Sequence, residues 1–147
     1  MIHLEHCISI RKATRQDLRS LDALAAAHKD ELGFVRRVAL ADSIQRGEIL
    51  VAENDAHVIG FVHYRHRLNR QTTLYNIVVS PDRRRQGTGR RLVEALIQEV
   101  RSLGKQCIVL KCPSDLPANG FYARLGFHRW GEEPGKRRGL TLWRLSV

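Results

Sequence analysis

Residues 75–92 read Tyr75-Asn76-Ile77-Val78-Val79-Ser80-Pro81-Asp82-Arg83-Arg84-Arg85-Gln86-Gly87-Thr88-Gly89-Arg90-Arg91-Leu92. The run Thr72–Val79 is rich in β-branched and aromatic residues and stops at the turn-forming Ser80-Pro81-Asp82. Past the glycines, Leu92, Val93, Leu96, Ile97, Val100 and Leu103 form an apolar stripe at helical spacing, closed by Gly104. The pattern predicts strand, glycine turn, helix. The first turn of a helix leaves backbone N–H groups without intrahelical partners and carries roughly half a positive charge, while glycines let an anion approach the backbone. Arg84, Arg85 and Arg90 add charge-assisted donors. Residues 84–90 therefore read as a phosphate cradle, although the same residues also fit an ordinary helix entry ringed by solvated arginines. A Walker A loop is excluded by the missing Gly-Lys-Ser/Thr ending, and a dinucleotide turn by Leu92, where a glycine is required.

Downstream, Cys107–Leu110 is a short apolar run suited to a buried strand, so Thr72–Val79, the helix and Cys107–Leu110 form a β-α-β unit with parallel strands. Pro117–Leu125 reads as a short helix, and Phe127–Trp130 and Leu140–Leu145 as a closing strand pair. Upstream, Ile8–Thr14 alternates apolar and polar residues, and Thr14-Arg15-Gln16-Asp17 resembles a capping box. The helix that follows places Leu18, Leu21, Ala25 and His28 on one face and ends at Gly33. A second helix, Val35–Gln45, is expected to carry Val38 and Ile44 inward and to stop at Gly47. Glu48–Glu53 and Val58–Arg65 flank the turn-prone Asn54-Asp55, giving a hairpin and then a three-strand meander. The expected architecture is one mixed α/β domain, residues 1–147, around a single sheet.

The 147 residues carry a net charge of +10, with no apolar run approaching the ~20 residues of a membrane span. Met1–Ile10 lacks the pattern of a secretory signal, so no membrane association and a cytoplasmic location are expected. Cys7, Cys107 and Cys112 show no Cys-x-x-Cys spacing, and His63 and His66 point to opposite faces of a strand, so no metal site is read. Much of the positive excess flanks the glycine turn, which favours a small phosphorylated ligand; Arg65, Arg67 and Arg70, with Lys136, Arg137 and Arg138, leave RNA open as a partner.

The stretch from Val79 to Gly89 resembles the GNAT superfamily of N-acetyltransferases, whose signature is Gln/Arg-x-x-Gly-x-Gly/Ala after a strand and Val-x-Pro. A second family signature, Phe-Tyr-x-x-Leu-Gly-Phe, stands at Phe121–Phe127, and the order of elements agrees over nearly the whole chain. The cofactor half looks most like the enzymes that acetylate the N-terminus of a ribosomal protein. The resemblance implies a mostly antiparallel sheet with a central, splayed parallel strand pair flanked by helices. It also implies acetyl-CoA as co-substrate: pantetheine on the backbone of Ile77, Val78 and Val79, pyrophosphate on Arg84, Arg85, Gln86, Gly87, Thr88, Gly89 and Arg90, and a polar contact from Asn119. The Val79 N–H would polarise the thioester carbonyl, and Tyr122 would protonate the departing CoA thiolate and contact the cofactor.

Many relatives carry a glutamate on the strand before the turn, but Gln71, Thr72 and Thr73 stand here, and none accepts a proton at neutral pH. Glu31, Glu53, His63 and His66 are candidates acting through water. The implied reaction is direct attack of a neutral primary amine, on a small molecule or a protein, in a ternary complex. Acceptor choice in the family lies in the segments matching Leu18–Gln45 and Trp130–Leu140. The competing readings are acetylation of aminoacyl-tRNA, as some toxins of the superfamily perform, and a catalytically silent CoA- or nucleic-acid-binding module.

Overall fold

Asp17 organises the beginning of the chain. Strand β1 (Ser9–Lys12) delivers Arg11, whose guanidinium donates to both Asp17 oxygens at 2.8 and 2.9 Å and to Glu53 at 2.7 Å. The Thr14 N–H and hydroxyl donate to the same Asp17 carboxylate at 2.7 and 3.3 Å, closing the capping box. A 3-10 turn, Arg15–Asp17, then leads into α1 (Leu18–Ala27), followed by α2 (Lys29–Leu32) and α3 (Arg37–Gln45). The computed structural model describes residues 7–32 and 35–147, without the side chains of Asp30 and Glu31. The helix stop at Gly33 and the candidate base Glu31 lie outside the described residues.

Leu21, Ala25, Leu40 and Ile44 pack with Ile49, Val51, Phe61 and Val78 in one apolar cluster. Val38 does not join them and is 70% exposed, contrary to the expectation from sequence. Leu40 and Ile44 set the inward face of α3, and a residue two positions before Leu40 lies roughly 200° around the helix.

Strands β2 (Ile49–Asn54) and β3 (His57–His66) pair antiparallel around Asp55-Ala56, both at positive φ, 51° and 66°. Two central residues of that hand suit a two-residue hairpin. The turn thus falls one residue later than the sequence suggests, and Asn54 is a buried strand residue. Strand β4 (Gln71–Val79) leads through a 3-10 turn, Pro81–Arg83, to α4 (Thr88–Ser102). Leu92, Val93, Leu96 and Val100 of α4 are fully buried, each worth about 1.5–3 kcal/mol before the entropy of ordering is set against it. Helix α4 ends with Gly104 N–H on Arg101 O and Lys105 N–H on Val100 O, which puts Leu103 outside the helix and 54% exposed rather than on the apolar stripe.

Strand β5 (Cys107–Pro113), helix α5 (Ala118–Arg124) and strands β6 (His128–Glu133) and β7 (Leu140–Ser146) complete the chain. The sheet has seven strands in the order β1-β2-β3-β4-β5-β7-β6. Its parallel pair is β4–β5, registered Gln71↔Cys107, Thr72↔Ile108 and Thr73↔Val109, while β5–β7 and β6–β7 are antiparallel. The chain forms two compact units, Met1–Tyr64 with Asn76–Leu96, and Arg65–Tyr75 with Ile97–Val147. No helix among the described residues is long and apolar enough to cross a membrane.

Candidate active site

In the first unit the end of β4 is pinned to β3 by Ser80 N–H donating to Ile59 O at 2.8 Å. The Ser80 hydroxyl donates to Asp82 at 2.7 Å and holds that carboxyl below its ordinary range. The Val79 carbonyl accepts from Arg84 Nε at 3.3 Å. The chain then turns through two residues of left-handed conformation, Arg85 (φ 64°) and Gly87 (φ 81°). A Cβ at Gly87 would meet nothing within 4 Å, so conformation and not crowding demands glycine in the protein alone.

The first helical hydrogen bond of α4 is Arg91 N–H to Gly87 O at 3.0 Å, so the N–H groups of Thr88, Gly89 and Arg90 precede the ladder. Thr88 is 1% exposed, and its Oγ1 is buried without a protein partner. A buried, unsatisfied hydroxyl among leading helix N–H groups is a donor set that fits an anionic oxygen. Arg84, Arg85, Gln86, Gly87 and Arg90 are exposed around it, and Gly89 is half-buried. The candidate cradle residues read from sequence thus form one continuous turn, and Ile77 and Val79 lie half-buried on the strand that feeds it.

In the second unit Tyr122 is buried, edge-on to Phe121 and Phe127 at centroid distances of 5.5 and 5.6 Å. Helix α5 closes with Gly126 N–H on Ala123 O and Phe127 N–H on Tyr122 O, with Gly126 at φ 98°. The Phe-Tyr-x-x-Leu-Gly-Phe motif is therefore a helix end: its glycine takes the left-handed position and its second Phe folds back on the Tyr ring. Burial pushes the Tyr122 phenol well above its ordinary value, with a smaller push from Cys112, whose own thiol is pushed up to about 11, chiefly by burial.

Asn119 sits one turn before Tyr122. Its amide donates to Pro113 O and Leu116 O, both at 2.9 Å, and its Oδ1 accepts from the Trp143 indole N–H at 2.9 Å. This clamp joins the loop after β5 to β7 and escapes a reading of the sequence; the need of a buried indole N–H for an acceptor is its one signal there. The end of the β6–β7 hairpin lines a cavity of about 410 Å³ with Ser114, Glu132, Glu133, Pro134, Gly139 and Leu140. Glu133 pairs with Lys111 at 2.7 Å, and Glu132 with Arg129.

The described candidate bases are all engaged within their own units. Glu53 is bridged to Arg11; His63 shares a buried 2.7 Å hydrogen bond with Ser43; His66 lies 2.7 Å from both Thr72 Oγ1 and Glu99. Thr72 is fully buried. Among the described residues no group of three His, Cys, Asp or Glu is placed to hold a metal ion.

Mycothiol acetyltransferase of Pseudarthrobacter chlorophenolicus is 31% identical over 123 residues, covering 76% of this chain and 38% of that protein. The 5-NmdU N-acetyltransferase of Pseudomonas phage PaMx11 is 29% identical over 140 residues, covering 93% of this chain and 98% of the phage protein. The ribosomal protein bS18-alanine N-acetyltransferase of Escherichia coli K12, of the kind that the sequence resembles, is 42% identical over 59 residues, 40% of either chain. In fold, Ard1 of Thermoplasma volcanium superposes with a TM-score of 0.86 at 20% identity, covering 95% of this chain and 97% of that one. The chain thus spans little more than a third of its mycothiol relative but almost all of the phage one. Matched by the family profile over residues 13–127, this chain belongs to the acetyltransferase (GNAT) family.

Proposed function

We propose that residues 1–147 act as one acetyltransferase domain that transfers acetyl from acetyl-CoA to a primary amine by direct attack in a ternary complex. The observation that carries this reading is the turn at Arg84–Arg90: leading N–H groups, two left-handed residues and the unpartnered Thr88 Oγ1 together ask for an anion. The CoA pyrophosphate supplies it. The backbone of Ile77, Val78 and Val79 holds the pantetheine, and the Val79 N–H stabilises the oxyanion formed as the amine attacks.

Tyr122 donates its proton to the departing thiolate. Its burial makes it a weaker acid, and burial likewise disfavours a thiolate, as the raised Cys112 thiol shows. Asn119 serves as a positioning residue, because its amide holds the loop ahead of α5 and Trp143 together. With the candidate bases Glu53, His63 and His66 engaged by Arg11, Ser43 and Glu99, rate comes from holding amine and thioester together, a contribution of ~7–11 kcal/mol.

The relatives' names point to different chemistries, a mycothiol acetyltransferase, a 5-NmdU N-acetyltransferase and a bS18-alanine N-acetyltransferase, so the acceptor stays open among them. The cavity at the β6–β7 hairpin supports an acceptor site there. Thermal denaturation with acetyl-CoA tests the reading first. Ligand at 100 times its dissociation constant adds ~2.7 kcal/mol of stability, and no shift with any acyl-CoA would reject it. Thiol release across a panel of amines then identifies the acceptor.

A further inference from the structure

The loop between β3 and β4 and the loop after α4 form one locked end of the second unit. Lys105 Nζ donates to the carbonyls of Arg67 and Asn69 at 2.6 and 2.8 Å, and Gln106 N–H donates to Arg70 O at 2.9 Å. The segments that meet there, 65–75 and 97–107, contain Arg65, Arg67, Arg70, Arg101 and Lys105 against a single carboxylate, Glu99. Glu99 is already paired with His66 at 2.7 Å. Arg67 is held flat along β4: its Nε donates to Thr73 Oγ1 at 3.1 Å, an Nη donates to the Tyr75 hydroxyl at 2.6 Å, and the guanidinium lies 5.7 Å from the Tyr75 ring centroid. Of the five large hydrophobic side chains exposed among the described residues, three, Leu68, Tyr75 and Leu103, belong to these same segments.

Such a surface combines fixed positive charge with apolar and planar groups, and none of it enters the acetyl-CoA reading. We propose that this end of the second unit docks a nucleic-acid strand. The cations are arginines apart from Lys105, which is committed to backbone carbonyls, and the arginine fork matches a phosphodiester oxygen pair where an ammonium offers a point charge. Arg67 and Tyr75 form a planar platform of the kind on which unpaired bases stack. An anionic lipid surface fits less well, because interfacial binding draws on a continuous apolar helix face, and the apolar face of α4 is buried. The interaction surface goes beyond the acetyl-transfer reading and stands whichever amine is the acceptor.

The test uses the full chain and a fluorescein-labelled single-stranded RNA of about 20 nucleotides, a length that spans one such site. Anisotropy is followed over a salt series for the parent, for Arg70→Glu/Arg101→Glu, and for Arg19→Glu/Arg36→Glu as an equal charge change on exposed residues of the first unit. The expected result is roughly tenfold or greater weakening for the first double variant alone, with a salt slope shallower by ~0.7 for each phosphate that is no longer neutralised. The acetyl-CoA thermal shift should be unchanged in the Arg70/Arg101 variant. That control keeps failure of this surface distinct from failure of the acetyl-CoA reading. Equal weakening by both double variants, no binding by the parent at low salt, or binding to anionic phosphatidylserine vesicles without binding to RNA would each overturn the proposal.

Discussion

Replacing Gly87 separates two reasons for a glycine that usually act together. The residue sits at φ 81° with open space where a Cβ would go, so alanine meets no protein atom and carries only the conformational penalty. That penalty is about 1–2 kcal/mol for an L-residue in the left-handed region. Unfolding entropy of about 2.1 cal/mol/K per residue over 147 residues gives about 0.31 kcal/mol/K, so Gly87→Ala should lower Tm by about 3–6 °C. Asparagine tolerates the left-handed region better, so Gly87→Asn should lower Tm less, by about 1–3 °C. Binding should rank the variants the other way. If phosphate occupies the open space, the larger Asn side chain obstructs it more than the Ala methyl does. At a concentration 100 times the parent's dissociation constant, acetyl-CoA should raise the parent Tm by about 9 °C, and each tenfold loss of affinity removes about 1.4 kcal/mol, or roughly 4–5 °C of that shift. Differential scanning fluorimetry with and without acetyl-CoA reads both orders. Stability should run Gly, Asn, Ala and the ligand shift Gly, Ala, Asn. Identical orders would refute the reasoning, because the cradle would then be sensed only through folding.

Thr88→Val replaces the buried, unpartnered hydroxyl by a methyl group; stability without ligand should hold or rise by up to about 3 kcal/mol, while the acetyl-CoA shift shrinks, and an undiminished shift would remove Thr88 from the site. Tyr122→Phe keeps the ring packing and removes the acid, so kcat should fall by ~10² with Tm little changed; because burial raises the phenol, the parent should show no alkaline loss of activity from this group below pH ~10. Full activity of the variant at every pH would sink the assignment. Arg11 holds the folded Asp17 carboxyl below its unfolded value of about 3.9, so its stabilisation is full above that value and disappears as pH falls through the folded one. Asp17→Asn should therefore cost about 1–2 kcal/mol at pH 7 in urea titrations and converge with the parent in acid; a constant difference would show that the charge is irrelevant.

The strand, glycine turn and helix at 71–102 were legible because three local signals agree there: β-branched residues, Pro81 with the glycines, and a stripe at 3.6-residue spacing. The acceptor segments gave no comparable signal. Val38 and Leu103 show the limit of periodicity, since both are apolar at plausible spacing and both are exposed. Which apolar residues face inward depends on the helix start and end, and those are set by backbone contacts such as Lys105 on Val100. The candidate bases show the same limit for polar groups. A histidine in a strand reads as available, whereas packing brought Ser43 to His63 and Glu99 to His66.

The sequence by itself determined the parts whose cause is local: the strand feeding a phosphate turn, the helix after it, and the motif that ends α5 on its glycine. Hydrogen bonds four residues apart and a φ only glycine takes easily are properties of a short segment, so a short segment reveals them. Only the tertiary structure decided that Thr88 keeps a buried oxygen without a partner, that Asn119 is clamped to Trp143, and that Lys105 ties the loop after α4 to the loop before β4. Those are contacts between residues far apart in the chain. Their existence depends on how strands register and which atoms packing excludes from water, and no spacing along the chain encodes either.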